Sequence, residues 1–251
     1  MKDGFIKVAA GLPKCTVADI TANVSEIKHI IDNANGRNIN ILALPELCIT
    51  GYTCGDLFFS DTLLTGAKRA LFDLAEYTKG KYPIVILGLP LILKSKLYNC
   101  AAVLSDGKIL GIVPKTHMPN YSEFYEQRQF TSASLADDNQ IYIGGKPIPF
   151  GTDIVFSHSE LSGYTFGIEI CEDVWAASQP SEKLCRAGAA IIINPSASNE
   201  VIGKSEYRKT LISATSARLL CGYVYVSSRP GESTQDLVYS GHSLVYENGT
   251  L

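Results

Sequence analysis

Residues 83–114 read PIVILGLPLILKSKLYNCAAVLSDGKILGIVP. Three strand-length apolar runs, Pro83 to Leu93, Leu97 to Leu104 and Ile109 to Val113, follow one another with short polar breaks. Asp106-Gly107 between the last two is a tight hairpin signal, so those strands run antiparallel. A second strand-rich stretch, about 153–157 and 164–170, comes later. Elsewhere, strands and helices alternate. The class is therefore α/β with mixed sheets, and not a plain βαβ repeat.

Upstream lie a strand over Phe5 to Ala10, a helix over Ala18 to Ala34 and a buried strand over Asn40 to Leu44. The first helix puts Ile20, Val24, Ile27, Ile30 and Ile31 on one stripe, and Gly36 is placed to end it. Asp61 reads as the cap of a second helix carrying Leu64, Ala67, Leu71, Leu74 and Ala75. Downstream, a helix near 180–187 precedes a strand at Ala189 to Ile193. A helix from Ser205 to Leu220 and strands at Tyr223 to Ser227 and Ser243 to Glu247 follow. Residues 116–152 are polar, aromatic and marked by Gly and Pro, which reads as a long functional loop. The first strand is not followed by GxGxxG, and no GxxxxGK[ST] occurs, so a nucleotide-binding Rossmann or P-loop reading fails.

The 251 residues are 46% hydrophobic, carry a formal net charge of −3 and can bury a large core without staples. That balance excludes a disordered tail and gives no basic footprint for nucleic acid. The longest apolar run, Ile84 to Leu93, is about half a membrane span, so no membrane partner is expected. Met1-Lys2-Asp3-Gly4 shows no signal-peptide core, and a cytoplasmic location is expected. The seven cysteines are odd in number and form no CxxC pair, which argues against a metal ribbon or a disulfide framework.

Ligands in α/β folds gather beyond the carboxyl ends of strands. Glu46 directly follows NILALP, Lys115 follows KILGIVP and Cys171 follows YTFGIEI. Singly, each has an ordinary explanation as a solvated loop residue or a core thiol. At equivalent places in one domain they permit a specific chemistry. A carboxylate takes the thiol proton, the thiolate attacks a carbonyl-type carbon, and an ammonium stabilises the oxyanion. A Cys–His pair using Cys171 with His117 or His242 remains an alternative.

These residues in the contexts ALPELCITGY, GIVPKTHMPNYSEFYEQRQF and GIEICEDVW resemble the nitrilase, or carbon–nitrogen hydrolase, superfamily. More narrowly, ITGY followed by Asp56-Leu57, and Cys171-Glu172-Asp173 with Trp175, resemble the glutaminase domain of the glutamine-dependent NAD synthetases. The resemblance covers nearly the whole chain and implies a four-layer αββα sandwich. It implies Cys171 as nucleophile, Glu46 as general base, Lys115 as oxyanion stabiliser, and Glu126 as a further acid holding Lys115 or the substrate. For L-glutamine it implies Tyr121, Ser198 and Lys204 as contacts, with Glu172 on the α-ammonium and Tyr52 lining the pocket. It also implies homo-oligomers, and no metal or organic cofactor for the hydrolytic half. The SGGxDS loop of the synthetase half is missing, and the chain stops at Leu251 soon after a strand. The expectation is a fragment, 1–251, holding the glutaminase domain, cut short at its C-terminus. The ATP-dependent domain that uses ATP, Mg²⁺ and deamido-NAD is then its partner.

Overall fold

Strand runs that are apolar at every position need cover on both faces. Residues 41–44 show how this chain provides it. Ile41 and Ala43 pack toward strands of a second sheet, while Leu42 and Leu44 pack toward helices. The computed structural model describes residues 4–158, 161 and 163–251; Met1 to Asp3, where the sequence shows no signal-peptide core, lie outside them.

The first sheet has the order β1-β2-β3-β4-β5, formed by Val8–Ala10, Ile41–Ala43, Ile84–Leu93, Lys96–Ser105 and Lys108–Pro114. Its first three strands are parallel and β3, β4 and β5 antiparallel, as the 83–114 stretch requires. Asp106 and Gly107 both adopt positive φ, 45° and 77°, the pair of left-handed residues a type I′ turn needs. The short hairpin Gln140–Ile143 with Lys146–Pro149, β6 and β7, forms a sheet of its own, with Ile141 and Ile143 buried in the same core cluster as Leu87 and Leu104 of the first sheet. The second sheet contains β8 Phe156–Ser157, β9 Thr165–Ile168, β10 Ile191–Ser196, β11 Gly222–Ser227 and β12 Leu244–Glu247, in the order β12-β11-β10-β9-β8. Here β9, β10 and β11 are parallel, and β8 and β12 are antiparallel edges.

Three clusters of buried side chains set the layers. Helices α1 (Ile20–Gly36) and α2 (Asp61–Tyr77) pack Ile27, Ile31, Leu71 and Leu74 on the outer face of the first sheet. Ile86 and Val103 meet Phe166, Ile193 and Val224 between the sheets. The short helix α3 (Glu126–Gln129) lies in the loop after β5. Helices α4 (Pro180–Arg186) and α5 (Lys204–Leu219) close the other side through Leu184 and Ile212 against Ile192 and Tyr223. The result is a four-layer αββα sandwich. No helix is long and apolar enough to cross a membrane among the described residues.

Several local expectations shift. Ser60, with extended backbone, occupies the cap position of α2, and Asp61 is its first helical residue. Leu63 is buried there, whereas Leu64 sits at the helix flank. The 116–152 stretch is not one loop, for it holds α3 and the β6–β7 hairpin turned at Gly144-Gly145.

Candidate active site

Each of the three strand ends identified in the sequence delivers its side chain to the same buried place. Glu46 leaves β2 on a turn that β3 passes closely: a Cβ on Gly88 would stand 2.1 Å from Leu47 N and 2.7 Å from Pro45 O, both backbone atoms that cannot yield. Glycine at 88 is therefore what lets the Glu46 turn settle onto the sheet. Lys115 leaves β5, and its Nζ donates to Glu46 Oε1 at 2.7 Å and to Glu126 Oε1 at 2.5 Å. All three side chains are buried. Glu126, brought in by α3, completes the cluster that the long loop encloses.

Both Glu46 oxygens have further donors, and one acceptor site on Oε2 is left open. Asn99 Nδ2 donates to Oε1 at 2.7 Å, and the Ala197 N–H to Oε2 at 2.9 Å. Burial alone would lower the Lys115 ammonium, but the Glu126 and Glu46 carboxylates outweigh it and hold the group well above its usual range. Burial raises Glu126 to about 7, against the pull of Lys115 and with a push from Glu46. Tyr52 OH donates to Glu126 Oε1 at 2.6 Å.

Cys171 opens a 3₁₀ turn, Cys171–Val174, just beyond β9, with φ at +46°. A non-glycine residue in that region is strained by roughly 1–2 kcal/mol. Its backbone N–H donates to Asn194 Oδ1 at 3.1 Å. Burial first, then the Glu46 and Glu126 charges, push the thiol up; Lys115 and the Ala197 N–H pull it down. The resting group is thus a thiol that needs a base beside it. Asp173 ties this turn to the segment after Lys115. It accepts from Ile170 N at 2.8 Å, His117 N at 2.7 Å and Thr116 N at 3.2 Å.

A cavity of about 380 Å³ opens at Cys171, between Tyr121, Phe124, Glu172, Trp175, Ser198 and Lys204. Tyr121 OH donates to both Glu172 oxygens, at 3.2 and 3.1 Å. Lys204, in the first turn of α5, stands 5.2 Å from the Trp175 ring centroid and donates to Asn199 Oδ1, whose amide donates on to Glu123. Burial draws the Lys204 ammonium below its usual range, while Cys171 and Glu172 pull it back up. A larger groove of about 780 Å³ near Asp19, Asp61 and Arg69 holds no thiol, so volume alone does not choose the site.

The structure therefore brings Glu46, Lys115, Glu126 and Cys171 together, and puts Tyr121, Glu172, Ser198 and Lys204 around the adjoining cavity. Tyr52 does not line that cavity; its hydroxyl is held behind it on Glu126. The histidines are engaged elsewhere. His117 Nε2 lies 3.0 Å from Ser178 O, and Arg208 Nη1 donates to His242 Nδ1 at 2.7 Å. A Cys–His pair is not what these imidazoles form.

Sequence reading passed over Asn99, Asn194 and Arg208, and gave Asp173 of the Cys171-Glu172-Asp173 motif no role of its own. Arg208 is wholly buried beneath the cavity, where it donates to Glu200, to Asn199 O and to Ser198 Oγ. The signal for Asn99 and Asn194 was present: each is a lone amide within an apolar strand run, and such a group needs partners when buried.

The model of the carbon–nitrogen hydrolase family matches residues 7–248, and the chain belongs to that family. It is 37% identical over 248 residues to the glutamine-dependent NAD(+) synthetase of Mycobacterium tuberculosis strain CDC 1551 / Oshkosh, covering 99% of this chain and 36% of that protein. The corresponding protein of Aquifex aeolicus is 30% identical over 230 residues, 92% of this chain and again 36% of the relative. The chain thus spans about a third of the length of these relatives. The crystal structure of a glutamine-dependent NAD(+) synthetase from Cytophaga hutchinsonii aligns with a TM-score of 0.85 at 31% identity, over 98% of this chain and 39% of that one. A mutant amidase of Nesterenkonia AN1, from the nitrilase superfamily, aligns at 0.78 with 15% identity over 97% and 83%, a likeness of fold alone.

Proposed function

We propose that this chain is the glutaminase domain of a glutamine-dependent NAD synthetase, releasing ammonia from L-glutamine through a thioester on Cys171. The observation that carries the reading is the buried Glu46–Lys115–Glu126 cluster acting on a thiol that opens onto a cavity. The relatives at 37% and 31% identity supply the substrate class.

Glu46 takes the Cys171 proton as Sγ bonds to the γ-carboxamide carbon, and Lys115 stabilises the oxyanion. Glu46 then hands that proton to the departing nitrogen, the C–N bond breaks, and ammonia leaves a γ-glutamyl thioester. Water attacks the thioester with Glu46 as base, the S–C bond breaks, and the thiol regains its proton as glutamate departs. Glu126 is not a reacting group in this scheme; it holds Lys115 alongside Glu46. Around the cavity, Lys204 and the Ser198 hydroxyl receive the α-carboxylate, while Glu172, oriented by Tyr121, receives the α-ammonium. In a longer protein of this kind, the ammonia feeds amidation of deamido-NAD by an ATP-dependent synthetase domain, in cytoplasmic homo-oligomers.

The test is intact-mass labelling by 6-diazo-5-oxo-L-norleucine with glutamine as competitor. The expected result is one adduct per chain, on Cys171, suppressed by glutamine and lost in Lys115→Ala. Adducts scattered over Cys15, Cys48 and Cys54, or none at all, would sink the reading.

A further inference from the structure

Behind the nucleophile turn lies a line of buried polar side chains that takes no part in the chemistry above. Strands β9 to β11 turn one face to the first sheet and the other to α4 and α5. Glu169 alternates with Ile168 and Ile170, and Asn194 with Ile193, so both fall on the helix-facing side together with Tyr223. All three are at most 1% exposed. Asn194 Oδ1 accepts the Cys171 N–H at 3.1 Å and the Ser196 hydroxyl at 2.7 Å. Asn194 Nδ2 donates to Tyr223 OH at 3.1 Å, and Tyr223 OH donates to Glu169 Oε1 at 2.5 Å. Glu169 Oε2 accepts the Ser181 N–H at 2.8 Å.

The polarity of this line is fixed from both ends. A backbone N–H can only donate, so the amide oxygen of Asn194 must face Cys171 and its NH₂ must face Tyr223. Tyr223 must then accept from Asn194 and send its own hydrogen to Glu169. Glu169, when ionised, accepts from the Tyr223 hydroxyl at one oxygen and from the Ser181 N–H at the other. With Glu169 ionised, every link has a single permitted direction, and such a line resists rotation of any one member. Burial raises that carboxyl to about 7, so the last link keeps this direction above neutral pH.

Its terminus is the residue whose backbone most needs holding. Cys171 sits at φ +46° without being glycine, and a relaxed φ would swing Sγ away from Glu46 and Lys115. We propose that Asn194, Tyr223 and Glu169 form a positioning relay that keeps the Cys171 backbone in its strained, reactive conformation. This inference rests on Cys171 being the nucleophile proposed above.

The experiment compares wild type with Tyr223→Phe, which removes one oxygen atom, and with Glu169→Gln and Asn194→Ala. The first readout is the rate at which iodoacetamide alkylates Cys171, which requires no glutamine site. The second is steady-state glutamine hydrolysis. Displacements of this kind cost up to about 100-fold in rate, and Tyr223→Phe is expected to lower both Cys171 alkylation and kcat by about tenfold with KM within about twofold. Glu169→Gln should follow it, because an amide places a donor against one of two donors. Asn194→Ala should lose most; if it does not fold, Tyr223→Phe decides alone. Alkylation of Cys171 at or above the wild-type rate in Tyr223→Phe overturns the relay, including where the variant merely melts earlier. A wild-type protein whose Cys171 alkylates normally while glutamine stays intact overturns the substrate reading only, and the relay still stands or falls on the alkylation rates.

Discussion

Glu46 and Lys115 are 1% and 0% exposed and lie 2.7 Å apart, whereas Tyr121 and Ile202, beside the same thiol, are 54% and 107% exposed. The first region is built by strand ends, with every Glu46 oxygen and the Lys115 ammonium engaged inside the protein. The second is built by loops and the start of α5, with side chains that reach into an open cavity. A buried ion cluster is rigid and intolerant, because removing one partner strands the others without water. A solvated pocket wall loses an interaction and little else. If bond breaking resides in the first region and recognition in the second, damage to each should look different.

The sharpest contrast should come from Lys115→Ala. It leaves Glu46 and Glu126 buried together without a cation, so unfolding free energy in urea should fall by about 3–5 kcal/mol. Loss of the oxyanion partner should reduce glutamate release by roughly 10²–10³-fold or more. Lys204→Met tests the other region. It should raise KM for glutamine by about 10–100-fold, leave kcat within about threefold and barely change stability. A kcat collapse in Lys204→Met would erase the distinction between the regions.

The comparison also has a pH signature. Burial raises Glu126 from an ordinary 4.5 to about 7. Between those values the folded protein binds more protons than the unfolded chain, so its stability is full below about 4.5 and declines as pH rises through 7. The slope approaches about 1.4 kcal/mol per pH unit for one such group. Urea unfolding of Glu126→Gln between pH 5 and 8 should be flatter than that of wild type, and an equally steep profile would remove Glu126 as the source. The smallest effect belongs to His117→Ala. With its ring on Ser178 O, its loss should alter glutamine turnover by less than about threefold.

The same two regions were unequally legible in the sequence. Glu46 and Lys115 each directly follow an apolar run, and Cys171 follows YTFGIEI, apolar but for Thr165 and Glu169, so a strand end could be read at each. Glu126 was visible only through family resemblance, since its context EFYEQRQF is indistinguishable from a charged surface loop until α3 is folded inward. Asn99 and Asn194 were missed because a lone amide in an apolar run carries no partner information; the partners come from other strands. The β6–β7 hairpin was missed although Gly144-Gly145 is a turn signal, because Pro147 and Pro149 in one strand argue against pairing. The prolines lie on β7, the more exposed strand of the pair, where they are tolerated. Asp61 misled as a cap because a first-turn acid and a cap residue both suit a helix N-terminus.

The positive φ of Cys171 sets a trap for anyone improving this protein by selection. A library screened only for survival of heating would reward glycine at 171, since it occupies that backbone region freely and removes a strain of roughly 1–2 kcal/mol. With Cys171 as the proposed nucleophile, such clones would be inert, and each round would enrich them. Heat tolerance and turnover compete at this one codon, so a screen has to score both from its first round.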